Sequence, residues 1–248
     1  MSARRLYAAS LSAGVVHLDA AQAKHARVLR LREGDRVILF DGRGSEAGAI
    51  ITTLGEDSAR CEAEPPRTVA HAGPPIVLCQ CLPKGGKLED IVRACTELGV
   101  TAVHLVASER SVPRLDADRI GKRLDRLERV AVEASRQSGR TDVPDILAPA
   151  PLEAVLARAP VDAARIAFAP EQAVSLSDAI APEARSAWVL IGPEGGLSPD
   201  ELESARAQGF HAVALGATIL RVETAAPVAV ALVTDRLGGL RPSKGDAT

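Results

Sequence analysis

Aromatic side chains are scarce in this sequence, with three Phe, one Tyr and one Trp among 248 residues. So few rings exclude a platform on which several unpaired bases stack in succession. No apolar run approaches the roughly 20 residues that a membrane-spanning helix requires. The opening MSARRLYAASLSAGVVHLD is basic but leads into no sustained apolar stretch, so no secretory leader is expected and the chain is assigned to the cytoplasm. Cysteine is limited to Cys61, Cys79, Cys81 and Cys95, without a CxxC pair or a histidine cluster, and no metal site is expected. In a reducing compartment these four are expected as buried thiols. Neither sign of charge dominates, since the formal net charge is −2. Net charge therefore does not mark the chain as a nucleic-acid binder.

Charge is uneven along the chain. Residues 1–45 carry Arg4, Arg5, Lys24, Arg27, Arg30, Arg32, Arg36 and Arg43 against Asp19, Glu33, Asp35 and Asp41. That excess reads either as a phosphate-contacting face, with Arg4, Arg5, Arg27 and Arg30 as its contacts, or as a solvated surface. With so few rings, any recognition of RNA leans on arginine and backbone shape. His25 has a minor reading in RNA contact beside a structural one.

Two regions separate by pattern. Residues 1–70 show short β-rich runs (VVHL, RVILF, GAIITTL, SARCEAE) divided by EGD, DGRG and GED turns, the pattern of a small barrel or half-barrel. One helix interrupts them, with Asp19 as its predicted N-cap. EPPRTVAHAGPP reads as a linker. Residues 71–248 alternate strand and helix: IVLCQCL, TAVHLVA, RIAFA, AWVLIG and HAVALG are continuous apolar strands. Their character predicts an α/β fold with a mostly parallel sheet covered on both faces. His104 alternates within TAVHLVA and is placed in the core. Arg136 and Arg140 follow a long charged helix, either as RNA contacts or as its solvated end.

Two segments could carry chemistry. In WVLIGPEGGLSPDELE a buried strand ends in Gly192-Pro193-Glu194-Gly195-Gly196, and Ser198 with Glu201 has capping-box spacing ahead of a helix. A strand, a glycine turn and a helix start place free N–H groups at the carboxyl edge of a sheet, where α/β proteins bind ligands; the bland reading is a tight structural turn. In LGATILRVETAAPVAVAL, Leu215-Gly216 closes a strand, Ile219-Leu220-Arg221 follows, Thr224 is the predicted N-cap and Pro227 falls in the first helical turn. Polar Arg221, Glu223 and Thr224 beside apolar Ile219 and Leu220 suit an adenine and a charged sulfonium. The alternative is a loop ion pair between Arg221 and Glu223.

Together, IGPEGG-L-S-x-x-E followed by LG-x-x-ILR-x-ETA resembles the signature of the 16S ribosomal RNA uridine-N3 methyltransferases, which belong to the SPOUT class of trefoil-knotted methyltransferases. The resemblance extends to His25-Ala-Arg-Val-Leu-Arg30, GDRVILFDGRG, KGGKLEDIVRACTELGV, SERSV and EASRQSGRTDVPDI. It implies a PUA-like RNA-binding β-barrel domain over 1–70 and a methyltransferase domain with a C-terminal knot over 71–248. It also implies S-adenosyl-L-methionine bent around Gly192–Gly196 and Leu215–Leu220, a homodimer whose partner chain completes each site, and 16S ribosomal RNA or the small ribosomal subunit as substrate. Arg221 is expected to orient the uracil, and Glu194 or Glu223 to accept its proton. Methylation of another RNA, for example at a transfer RNA 2′-O, and RNA binding without catalysis are the alternatives.

Overall fold

The computed structural model describes residues 4–71, 73–111, 117–169 and 174–240. The chain divides into two compact units, one of Met1–His71 with Val132–Val143, the other of Ala72–Ala131 with Pro144–Thr248.

The first unit holds strands β1 (Arg5–Tyr7), β2 (Gly14–Leu18), β3 (Arg36–Phe40), β4 (Ser45–Leu54), β5 (Ala59–Ala63) and β6 (Arg67–Thr68), with helix α1 (Ala20–Val28) after β2. The ladder runs β1-β3-β4-β5-β2 with β6 on β4. Only β1 and β3 run parallel; the other pairs are antiparallel. The barrel-or-half-barrel pattern thus resolves to an open ladder among the described residues. Alternation sets its inner face: in β5, Ala59, Cys61 and Ala63 are buried while Arg60 and Glu62 are exposed. They meet Leu6, Val16, Leu18, Val37, Leu39 and Ile51 in one core. Asp19 caps α1 as expected, its carboxylate accepting from the Gln22 amide at 2.9 Å. The proline-flanked stretch read as a linker contains β6. Residues 132–143 join this unit through Asp142, which bridges to Gly42, and through the Val143 amide, which donates to the Gly42 carbonyl at 2.9 Å.

Buried in this unit is a charge pair. Arg5 donates to Glu46 at 2.8 Å and to the Arg140 carbonyl at 3.1 Å, and its guanidinium lies 5.2 Å from the centre of the Phe40 ring. Arg67 reaches the other Glu46 oxygen at 2.6 Å. Burial alone would raise the Glu46 carboxyl, but the hydrogen bonds and charges of Arg5 and Arg67 hold it below the usual carboxylate range. A depressed carboxylate stabilises the fold above its unfolded-state pKa, and that stability is lost as pH falls through its folded value. Glu46→Gln leaves Arg5 buried without its counter-charge and is expected to cost roughly 3 kcal/mol at neutral pH. The deficit should shrink in the acid range, and urea unfolding at both pH values measures it.

The second unit is built on strands β7 (Ile76–Cys81), β8 (Ala102–Ala107), β9 (Asp145–Pro151), β10 (Ala164–Phe168), β11 (Ala187–Ile191) and β12 (His211–Val213). They form one parallel sheet in the order β12-β10-β11-β7-β8-β9. The helices are α2 (Lys87–Glu97), α3 (Ala117–Ser138), whose residues from Val132 onward belong to the first unit, α4 (Leu152–Leu156), α5 (Leu176–Ala179), α6 (Pro199–Ala207) and α7 (Val222–Arg236). Both faces are covered. Cys79, Cys81, Trp188 and Leu190 pack with Leu152 and Leu156 of α4 and with Leu202 and Ala205 of α6, while α2 and α7 pack together and α7 lies on β7 and β11. Every residue of β11 is buried, which explains its unbroken apolar run. Helix α2 buries Leu88, Ile91, Val92 and Cys95, and Gly99 follows it at φ +92°, a left-handed conformation that suits the end of a helix. His104 sits in the core against Trp188, ring centres 5.0 Å apart. All four thiols are free and buried. Burial pushes Cys61 up to about 11 and Cys81 up to about 12, so both stay protonated. Among the described residues no helix is long and apolar enough to cross a membrane.

Candidate active site

Strand β11 delivers the chain to Ile191, and residues 192–196 reverse it. A Cβ on Gly192 would lie 3.2 Å from the Leu197 amide nitrogen and 3.3 Å from the Gly196 carbonyl carbon, so a larger residue there would press on the backbone of the turn. Gly196 has φ +70°, a region that side chains with a Cβ rarely adopt. The capping box is present: the Ser198 amide donates to Glu201 at 2.8 Å, and Ser198 Oγ accepts from the Glu201 amide at 3.2 Å. Residues after β8 hold the turn from outside. The Glu109 amide donates to Glu201 at 2.7 Å, and Arg110 donates to the Gly195 carbonyl at 2.8 Å.

Beyond β12 the loop 214–220 leads to α7. Ile219 in this loop is 97% exposed, an apolar side chain left almost wholly in water. The two loops, with Phe168 and Ala169 after β10 and Arg110 after β8, enclose a cleft of about 350 Å³. It opens at the carboxyl ends of β12, β10 and β11, which are neighbours in the sheet. Its size lies within the range of small-molecule sites, about 300–1,000 Å³.

Charge gathers at one edge. Glu194 accepts from the Lys84 amide at 3.1 and 3.2 Å and from Lys87 Nζ at 2.9 Å. The same ammonium lies 3.4 Å from Glu223. Burial alone would raise Glu194, but Lys87 and the backbone amides of Glu194 and Lys84 hold it below the usual carboxylate range.

A family model described as the RNA methyltransferase domain matches residues 71–234, and one described as the RNA methyltransferase PUA domain matches residues 18–64. The ribosomal RNA small subunit methyltransferase E of Mycobacterium tuberculosis is 32% identical over 94% of this chain and 89% of its own length. The chain belongs to the ribosomal RNA small subunit methyltransferase E family. Among solved structures, the family member from Neisseria gonorrhoeae bound to S-adenosyl methionine is 35% identical, with a TM-score of 0.86 over 93% of this chain and 96% of that one. A methyltransferase from Legionella pneumophila in complex with the same cofactor is 26% identical, with a TM-score of 0.87 over 95% and 98%.

In this member of the family, Gly192, Pro193, Glu194, Gly195, Gly196, Leu215, Gly216, Ile219 and Leu220 all line the cleft. Thr224 does not, and it is not the N-cap expected from sequence. Helix α7 begins at Val222 with Arg221 as N-cap, because the Arg221 carbonyl accepts from the amides of Thr224 at 2.9 Å and Ala225 at 2.7 Å. Pro227 consequently stands inside the helix, where its missing N–H leaves the Glu223 carbonyl without its usual donor. Arg221 is exposed, and among the described residues no ion pair joins it to Glu223, which turns to Lys87 instead.

The arginines read as phosphate contacts fare differently from one another. Arg5 is buried on Glu46. Arg140 pairs with Asp142 at 2.6 Å and Arg136 with Glu133. Arg4, Arg27 and Arg30 are exposed; Arg4 meets Asp35 at 3.2 Å, and Arg27 donates to the carbonyls of Gly55 and Glu56 at 2.5 and 2.6 Å. His25 is half-buried. Burial first and Arg136 second lower its pKa against the opposing pull of Glu133, so the ring is neutral at neutral pH. Sequence reasoning assigned no role to Lys87 or Arg110. Both lie in segments noted for their resemblance, KGGKLEDIV and SERSV; for Lys87 the available signal was a basic residue beside a glycine pair after a strand.

Proposed function

We propose that this chain transfers a methyl group from S-adenosylmethionine to N3 of a uridine in 16S ribosomal RNA, acting in the cytoplasm on the small ribosomal subunit. The observation that carries the reading is the cleft that the 192–196 turn and the 214–220 loop form together, with Arg221 directly beyond it. The cofactor named for the Neisseria and Legionella relatives fits this lining. Ile219 offers an apolar surface to an adenine, and the 192–196 turn offers carbonyls and amides at close range. When bound there, S-adenosylmethionine supplies a methyl already activated on a positively charged sulfur.

The chain's own residues supply position and charge. The five N–H donors of Arg221 form a planar fork that suits a uracil oxygen gaining negative charge as N3 loses its proton. Glu194, held low by three donors, is a poor proton acceptor and serves to fix the turn. Glu223, whose Oε2 lies 3.4 Å from the Lys87 ammonium and is held by no backbone amide, is the remaining carboxylate for the N3 proton. Exposed Arg4, Arg27 and Arg30 supply phosphate contacts from the PUA unit. The reading includes a homodimer and a trefoil knot closed by α7.

Incubating unmethylated small-subunit RNA, free or assembled, with the protein and S-adenosylmethionine, followed by nuclease digestion and mass mapping, tests this. One methyl on a uracil base is expected; a methyl on ribose, or none, overturns the reading.

A further inference from the structure

We propose that Lys87 is a positioning residue of the methyl-transfer site, a clamp that holds the glycine turn and the start of α7 in register through Glu194 and Glu223. This rests on the methyltransferase reading above.

The cleft has two walls that are far apart in sequence. One is the turn that carries Glu194; the other is the 214–220 loop, which runs into Arg221 and Glu223. The Lys87 ammonium touches a carboxylate from each, at 2.9 Å and 3.4 Å. Among the ion pairs of the described residues it is the one that joins both walls; Arg110 reaches only carbonyls of the turn. The mount is firm. Lys87 opens α2, whose Leu88, Ile91, Val92 and Cys95 are wholly buried and which packs along α7. Gly85, at φ +70°, bends the preceding loop, and the Lys84 amide just before it donates to the same Glu194 carboxylate. Two carboxylates within 3.4 Å of one nitrogen would repel each other if that nitrogen were removed. The separation of the walls, and with it the placement of Arg221 against the cofactor, would then relax.

The side chain of Lys87 is 32% exposed, so solvent screens the pairs and they add little to global stability. Their effect falls on geometry, to which an in-line transfer is sensitive: a displacement of about 1 Å can cost 10²-fold in rate.

The test uses the full chain as Lys87→Met, Lys87→Arg and the double variant Lys87→Met/Glu223→Gln. Three quantities are measured: S-adenosylmethionine affinity by calorimetry, single-turnover methyl transfer to 16S RNA at saturating cofactor and RNA, and melting. Lys87→Met is expected to weaken cofactor binding about tenfold, the scale of one lost charge-assisted contact, and to slow transfer about 100-fold, with melting essentially unmoved. Lys87→Arg, able to span both carboxylates, should recover most of the rate. Adding Glu223→Gln removes the repulsion and should return cofactor affinity to within a few-fold of wild type. A Lys87→Met variant with wild-type affinity and rate overturns the clamp, as does a double variant whose cofactor affinity is no better than that of the single one. If wild type itself fails to bind S-adenosylmethionine, the clamp and the methyltransferase reading fall together; if it binds and Lys87→Met is indifferent, only the clamp falls.

Discussion

Single-turnover methyl transfer by an Arg221→Lys variant is expected to fall by about 10²–10³ at saturating RNA and cofactor, the loss typical of removing one donor that stabilises a developing oxyanion. Lysine keeps the charge but replaces a planar fork of five donors with a hydrated point charge on a flexible stem. Arg221 is exposed, its side chain makes no capping hydrogen bond, and the carbonyl that starts α7 is a backbone group that the substitution leaves in place. Melting should therefore hold. The competing account, a structural ion pair with Glu223, has already lost its partner to Lys87. Normal turnover in the variant would reject the catalytic role.

Gly196→Val should abolish measurable cofactor binding while the fold stays cooperative. The obstacle is conformational rather than a clash, since a Cβ at Gly196 meets nothing within 4 Å, but φ there is +70°. The left-handed region costs an ordinary residue roughly 1–2 kcal/mol, and a β-branched side chain fares worse. The turn relieves that strain by rotating, which moves the carbonyls and amides of a segment that lines the cleft. The fold survives because β11 is anchored by its own burial and α6 by its capping box. Calorimetry with S-adenosylmethionine alongside a urea transition separates the two effects. Wild-type affinity in this variant would remove the turn from the cofactor site.

Much of this arrangement was legible in the sequence, for physical reasons. A strand buried on both faces writes an unbroken apolar run, as AWVLI does, and a capping box writes its own spacing, as Ser198 and Glu201 do. The start of α7 was misplaced because Thr224 is a better capping residue than Arg221; the helix begins at Arg221 through the backbone alone, with no side-chain cap to leave a trace. Strand β9 was overlooked because its residues are half-buried or exposed and carry no alternation. Arg5 looked like a surface charge because an arginine does not reveal which acid will meet it, and Glu46 lies on a different strand. Lys87 showed only its place beside a glycine pair, because its partners are distant in sequence and only the folded sheet brings them to one nitrogen.

The membership of Val132–Val143 in the N-terminal unit has a consequence for how the protein is made. That unit is closed in space but interrupted along the chain, and Asp142, Val143 and the Arg140 carbonyl supply bonds that Gly42 and Arg5 otherwise lack. During synthesis, at roughly 5–20 residues per second, those bonds wait until the intervening Ala72–Ala131 has been translated, a delay on the order of seconds. Vectorial folding, in which the first domain is finished before the second begins, is therefore closed to this chain. The nascent N-terminal sheet emerges from the ribosome incomplete and is sealed only after part of its catalytic neighbour has been synthesised.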